Sequence, residues 1–376
     1  MGTAHLGDIP RKIAVLHAKA LGDFVVTLPA LGAIKESYPD TELVLLTKPW
    51  VKEFLTDRPS VIDRVVCVPE MAGINDPVER KGRLPNRYSS DTPEIDRFFQ
   101  SMKAEKFDLA IHMQGDGKSA NPFINKLGAA RTIGMCNPGA QPLHRSIPYV
   151  HYQSEVLRNL EIAALAGATT SRLEPRIEVT ETDEAEAAPI LEIIKGKPYV
   201  VIHSGADDER RIWPAGKFAE VSDALTDRGY GIILTGTSKE ERTVARIVQA
   251  MRHEALPCTS LKLGGLAALL RKSALVISND TGPLHLARAV GADTVGIYWG
   301  PNVLNWGPLS RNRHRLAISW QVECPGCGVA PVRPWPFLPV TPDCDHPYSF
   351  IEDITVADVL ALADELLNSQ KPQDNN

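Results

Sequence analysis

The chain reads as an α/β protein made of two doubly wound domains. Short apolar strand candidates alternate with helical patterns, the signature of parallel, helix-flanked sheets. The alternation stops in an acidic stretch at 170–197 and then restarts with the same rhythm. At 376 residues the chain is long for one core and comfortable for two. The expected domains are 1–175 and 176–350, followed by a helix and tail over 351–376.

The first strand candidate, 12–17, leads through Ala18-Lys19-Ala20 into a helix. Leu21, Phe24, Val25, Leu28, Leu31, Ile34 and Tyr38 share one face at helical spacing, and Pro29 within that pattern predicts a kink. Gly22 lets the backbone turn tightly. Asp23 has two readings, as an N-terminal cap or as a carboxylate at the carboxyl end of the first strand, where open sheets bind ligands. Strands are expected at 42–47, 64–68 and 107–112, the last running into Met113-Gln114-Gly115-Asp116. Residues 70–93, rich in Pro, Gly and basic side chains, read as a mobile surface loop. A helix is expected over 156–166. Past the acidic connection come strands at 198–203, 231–235, 274–277 and 294–300, with a helix at 218–225.

Composition narrows the partners. An apolar content of 43% and a charged content of 23% are those of an ordinary globular protein. A net charge of -5 gives no basic field, which argues against nucleic acid. No apolar run approaches the roughly 20 residues of a membrane helix, and Met1 to Arg11 has no signal-like apolar segment. Six cysteines in so long a chain do not make a disulfide framework. A cytoplasmic enzyme is the expectation.

Four strand ends in the second half carry polar or Gly-containing turns: Ser204-Gly205, Thr235-Gly236, Ser278-Asn279-Asp280-Thr281-Gly282 and Gly300. Together they would line one sheet edge, the place for a nucleotide. The third runs from a buried strand through Asp280-Thr281-Gly282 into a helix bearing His285, and such a helix start is suited to anions. Asp280 and Thr281 serve equally well as caps, and His285 as a packing residue. Arg210 and Arg211 follow the first turn; forked guanidinium groups suit a diphosphate, or they pair with Asp207, Asp208 and Glu209. Glu240 can bind ribose hydroxyls or sit as a first-turn acid. No Gly-x-Gly-x-x-Gly follows the first strand and no Gly-x4-Gly-Lys-Ser/Thr occurs, which weakens dinucleotide and phosphate-loop readings.

Leu21-Gly22-Asp23 with Thr27-x-Pro29-Ala30-Leu31, Arg211-x-Trp213-Pro214, Thr235-Gly236 with Glu240, and Asp280-Thr281-Gly282-x-x-His285-Leu286-Ala287 occur in that order. In this set the chain resembles glycosyltransferase family 9, the ADP-heptose:lipopolysaccharide heptosyltransferases, over roughly residues 12–310. The resemblance implies the GT-B fold: two Rossmann-like doubly wound domains facing a central cleft, acceptor on the first and nucleotide sugar on the second. It implies that Asp23 is the general base of an inverting transfer needing no cofactor or metal for catalysis. It places Gly22, Ser204, Gly205, Arg211, Thr235, Gly236, Glu240, Asp280, Thr281, Gly282 and His285 around the substrates. Asp280, Thr281, Gly282 and His285 would hold diphosphate and sugar, and Glu240 the ribose. Arg211 stands where the family usually has lysine, so the charge is kept and its geometry altered. The helix beginning near 354 would cross back onto the first domain.

Cys324-x2-Cys327 and Cys344-Asp345-His346 sit among many prolines. These side chains can close a structural zinc or iron site or remain thiols, and related protein heptosyltransferases carry cysteine-rich iron-binding segments. The expected partners are a nucleotide sugar, ADP-heptose by resemblance, and a glycolipid or protein acceptor, with peripheral contact at the inner membrane face. Rival readings are a same-family transferase with another donor or a protein acceptor, and a nucleotide-sugar-binding protein that transfers nothing.

Overall fold

The computed structural model describes residues 9–75, 92–170, 172–330 and 346–369. Most of the expected loop at 70–93, and Cys344, lie outside the described residues. The chain divides into two compact units, Met1–Pro175 and Arg176–Asn376.

The first unit runs β1 (Lys12–Leu16), α1 (Leu21–Ser37), β2 (Glu42–Thr47), α2 (Pro49–Leu55), β3 (Arg64–Cys67), α3 (Pro93–Ala104), β4 (Leu109–His112), α4 (Ala120–Lys126), β5 (Arg131–Met135), β6 (Arg145–Ile147) and α5 (Glu155–Leu165). Its six strands are parallel in the order β3-β2-β1-β4-β5-β6. Ile13, Ala14, Val15 and Leu16 are fully buried, because a parallel strand covered on both faces needs a continuous apolar run rather than alternation. Helix α1 continues through Pro29.

The second unit begins with α6 (Glu181–Ile194) and continues through β7 (Tyr199–His203), α7 (Ala215–Asp227), β8 (Gly231–Thr235), α8 (Glu241–Ala250), β9 (Leu256–Cys258), α9 (Leu263–Lys272), β10 (Leu275–Asn279), α10 (Gly282–Ala289), β11 (Thr294–Trp299), α11 (Gly300–Trp306), β12 (His314–Ser319) and α12 (Val356–Ser369). The strand order β12-β11-β10-β7-β8-β9 repeats the topology of the first sheet. In each sheet the order reverses once, between β1 and β4 and between β7 and β10. The crevice at such a reversal is where open α/β sheets take ligands.

Two expectations about the second unit need correction. The acidic stretch at 170–197 contains helix α6, capped by Thr180 and Asp183, each accepting the other's N–H. Glu186 on that helix accepts the Gly265 amide of α9, so this stretch belongs to the second unit's framework. Helix α12 was expected on the first domain. Its apolar side, Val359, Ala363, Leu366 and Leu367, is instead buried in the second core with Trp213 and Phe218. Among the described residues no helix is long and apolar enough to cross a membrane.

Several histidines are sealed inside this framework. His112 accepts the Met135 amide through Nε2 and faces the Gln114 carbonyl through Nδ1, each at 3.0 Å. The Met135 carbonyl lies equally 3.0 Å from Nε2, and burial lowers the His112 pKa to about 4, which keeps the ring neutral near pH 7. Gly134 is required beside it, since a Cβ there would lie 2.1 Å from the ring. Burial likewise lowers His314 to about 4 and His17 to about 3. Unfolding at acidic pH lets these rings take up protons that the native state refuses. Their contribution is thus complete above pH 6.5 and is lost as pH falls through the folded values. Carboxylates held low, such as Glu42 and Glu105, lose theirs only below their ordinary range. Denaturant unfolding should therefore show stability dropping by a few kcal/mol between pH 6.5 and 4.5, on the scale of about 1.4 kcal/mol per unit and group. A flat profile across that window would refute the assignment.

Candidate active site

The second unit's crevice is held together by one buried amide. Asn279, the last residue of β10, donates through Nδ2 to the Ser204 carbonyl at 2.8 Å, and its Oδ1 accepts the Trp213 amide at 3.3 Å. One side chain thus fixes the turn after β7 against the end of β10. Trp213 is itself buried, packed edge-on against Phe218 at 5.0 Å and bonded through Nε1 to the Ile354 carbonyl. The Arg-x-Trp-Pro segment therefore hangs from the core, which leaves Arg211, at the end of a single 3₁₀ turn, at the rim.

Asp280 is not a helix cap. Thr281 is the N-cap residue of α10, with no side-chain cap bond, and the Asp280 carboxylate turns elsewhere. Asn302 Nδ2 donates to its Oδ2 at 2.8 Å, Arg211 Nη1 lies 3.7 Å from the same oxygen, and His285 Nε2 lies 3.4 Å from Oδ1. Arg288 Nη1 approaches His285 Nδ1 at 3.4 Å and donates to the Trp306 carbonyl at 3.2 Å. A guanidinium can only donate, so Nδ1 must be the acceptor and Nε2 carries the hydrogen facing Asp280. Asp280, His285 and Arg288 are all buried, which makes the carboxylate the centre of a network of donors. Beside it opens a cavity of about 310 Å³ lined by Asp208, Arg210, Arg211, Asn302 and the rings of Trp299, Trp306 and Phe350. Asp208 chelates Arg210 at 3.0 and 2.8 Å, and Arg211 is turned to Asp280.

Glu240 lies over the turn after β7. A Cβ on Gly205 would lie 1.5 Å from its Oε1, so only glycine admits the carboxylate there. Gly236 is close as well, with a Cβ position 3.2 Å from the Glu240 Cβ. Oε2 accepts the Thr237 amide at 2.7 Å and hydroxyl at 2.9 Å. Glu240 is therefore both an acid of its own turn and a carboxylate held at the crevice. His203 Nε2 is 3.9 Å from Oε1; burial lowers the His203 pKa, opposed by the Glu240 charge. Thr235 is buried, its hydroxyl donating to the Ile202 carbonyl and meeting His203 Nδ1. It supports the site from beneath, as does Ser204, which is 1% exposed.

In the first unit Gln114 plays the part of Asn279. Its Oε1 accepts the Ala18 amide at 2.7 Å and its Nε2 donates to the Ile74 carbonyl at 3.1 Å. Gly22 is buried and Asp23 half-buried in the first turn of α1, where Asp23 Oδ2 accepts the Ala20 amide at 3.2 Å. Asp23 thus caps its own helix while standing just past the carboxyl end of β1. Burial first, then the charges of Glu155 and Asp23, raise the pKa of Tyr149, opposed by Arg158. Arg158 is wholly buried, stacked 4.1 Å from the Tyr149 ring and donating to the Val150 carbonyl. This ties the segment after β6 into the surroundings of Asp23.

Cys324, Cys327 and His346 bring two sulfurs and an imidazole nitrogen within 4.8 Å of one another. The cysteines lie on a tight turn in which Cys327 and Gly328 donate to the Cys324 carbonyl. The donor set suits zinc or ferric iron.

Comparison with known proteins follows the same lines. The family profile of glycosyltransferase family 9 (heptosyltransferase) matches residues 95–327. Lipopolysaccharide heptosyltransferase 3 of Escherichia coli is 24% identical over 367 residues, 93% of this chain and 97% of the relative. The solved structure of a family 9 glycosyl transferase from Veillonella parvula superimposes with a TM-score of 0.74 at 19% identity, covering 96% of this chain and 97% of that one. The E. coli heptosyltransferase WaaC with ADP-2-deoxy-2-fluoro heptose gives 0.62 at 19% identity, covering 94% and 99%. These two structures share the two-sheet α/β fold.

Removing the second unit's clasp should be costly. Asn279→Ala leaves the buried Ser204 carbonyl and Trp213 amide unpaired, at about 1–3 kcal/mol each. Differential scanning calorimetry should show a Tm lower by roughly 5–10 °C. A shift within about a degree would show that the clasp holds nothing.

Proposed function

Because the chain belongs to glycosyltransferase family 9, we propose that it transfers heptose from ADP-heptose to a lipopolysaccharide-core-type acceptor, inverting the anomeric carbon with Asp23 as general base. The observation that carries the donor assignment is the Asp280 network beside the cavity at the second sheet's reversal point. The names of similar proteins support it: E. coli lipopolysaccharide heptosyltransferase 3, and a heptosyltransferase solved with an ADP-heptose analogue. Work on a lipid-linked acceptor implies the cytoplasm, at the inner membrane face.

In this reaction the Asp23 carboxylate accepts the proton of an acceptor hydroxyl as that oxygen attacks the anomeric carbon. The bond from that carbon to the β-phosphate oxygen breaks, and ADP leaves with the electron pair. Arg211 and the backbone amides of Thr281 and Gly282 stabilise the departing diphosphate, a role a divalent ion fills elsewhere; Pro283 has no N–H, and the Leu284 amide is taken by the Thr281 carbonyl. No acid is needed, since the diphosphate is a good leaving group without protonation. Glu240 has Oε1 turned to the turn after β7, suited to ribose hydroxyls.

Asp23→Asn should lower kcat by roughly 10²–10⁴ while ADP affinity by calorimetry stays within about twofold. Unchanged turnover would remove Asp23 from the chemistry. Tighter binding of UDP or GDP than of ADP would replace the heptose donor, and binding without transfer to any glycolipid or protein would favour a non-transferring protein.

We also propose a structural metal ion on Cys324, Cys327 and His346, with Cys344 as the sequence's candidate for a fourth ligand. Elemental analysis of the purified protein should find about one zinc or iron per chain, and Cys324→Ser should lose it. A metal content that Cys324→Ser leaves unchanged would refute the site.

A further inference from the structure

The Asp280 network fixes the orientation of a side chain that faces the cavity. A carboxylate only accepts hydrogen bonds, so the atom of Asn302 that meets Asp280 Oδ2 at 2.8 Å must be the amide nitrogen. The amide is planar, so its carbonyl oxygen points away from Asp280. Asn302 also lines the cavity, whose other walls include three aromatic rings and the arginine side chains. Arg211 and Arg210 can only donate, and Asp208 is taken up by chelating Arg210.

The carboxylate that holds Asn302 is itself immobilised. His285 meets its other oxygen, and Arg288 sets the His285 tautomer that makes this contact favourable. Asn302 is on α11, while Asp280, His285 and Arg288 belong to the continuous turn and helix of α10, so two separate segments determine where one oxygen points.

We propose that Asn302 Oδ1 is the specificity-determining acceptor that reads one hydroxyl of the donor sugar. The inference rests on the donor reading above and assigns a polar group of the cavity to the sugar. A sugar suits the enclosure, because aromatic faces cover its C–H surfaces while a fixed acceptor selects a hydroxyl. A donor lacking that hydroxyl leaves Oδ1 dry and unpaired, which is how a polar site rejects an analogue more strongly than an apolar pocket can.

The test crosses protein and substrate changes. Wild-type and Asn302→Leu are assayed with ADP-heptose and a series of its monodeoxy analogues, and kcat/KM is compared pairwise. Wild-type should disfavour one analogue by on the order of 10²-fold or more, and Asn302→Leu should reduce that ratio to within about threefold of unity while leaving the ratios for the other analogues in place. A variant damaged only in structure lowers kcat/KM for all donors alike. Uniform loss across the series, or discrimination that survives in Asn302→Leu, overturns this inference and leaves the donor assignment standing. No turnover of ADP-heptose by the wild-type enzyme overturns the donor assignment itself, and this inference with it.

Discussion

Each sheet depends on an amide side chain at the point where its strand order reverses. A parallel sheet hydrogen-bonds its strands but leaves the turns beyond their carboxyl ends without ladder partners. At the reversal the flanking helices diverge, so neighbouring turns there have no shared element to pack them. Asn279 meets this by donating to one segment and accepting from another, and Gln114 does the same in the first unit. An amide suits the task because it offers both functions without a charge to desolvate. Ligand-binding turns can then be irregular and still be fixed.

Once the turn is fixed, electrostatics decides what it can hold. A buried carboxylate among donors is strongly destabilising if one partner is removed, but well satisfied when all are present. Asp280 has Asn302, His285 and Arg211 within reach, with Arg288 behind His285. A carboxylate would repel a diphosphate, so its presence here makes sense only as an anchor that orients donors and as an acceptor for hydroxyls. On the donor reading proposed above, the diphosphate would meet Arg211 and the Thr281 and Gly282 amides instead. Glu240 follows the same logic, with one oxygen closing its own turn and the other held against Gly205.

Much of the fold was legible because parallel strands buried on both faces are apolar runs, as at 12–17 and 274–277. The strands β5, β6, β9 and β12 were missed: β6 and β9 are three residues each, β5 and β6 open on Arg131 and Arg145, and Arg315 breaks the apolar run of β12. Helix α6 was obscured by acidic side chains and Pro189, although Thr180 and Asp183 carried its capping signal. In the site, the residues on strand ends were legible, since a polar turn after an apolar run is a local pattern. Asn302, Trp306 and Arg288 were not, because what makes them part of the site is contact with Asp280, His285 and one another. Likewise nothing local distinguishes Asp280 as a cap from Asp280 as a network centre; only the positions of Asn302 and His285 do.

The two sites differ in how much of the chain they enlist. Asp23 takes its position from its own helix: the first turn of α1 offers it one amide of Ala20, three residues away, and a helix start favours the anion. That bond ties the carboxylate to the turn between β1 and α1, just past the carboxyl end of β1. Asp280 is placed differently. Its partners come from positions 211, 285 and 302, and each contact fixes a donor group at the cavity or beside it. A carboxylate that closes its own helix start thus needs a neighbour three residues away, whereas one that orders a crevice is held from distant positions as well.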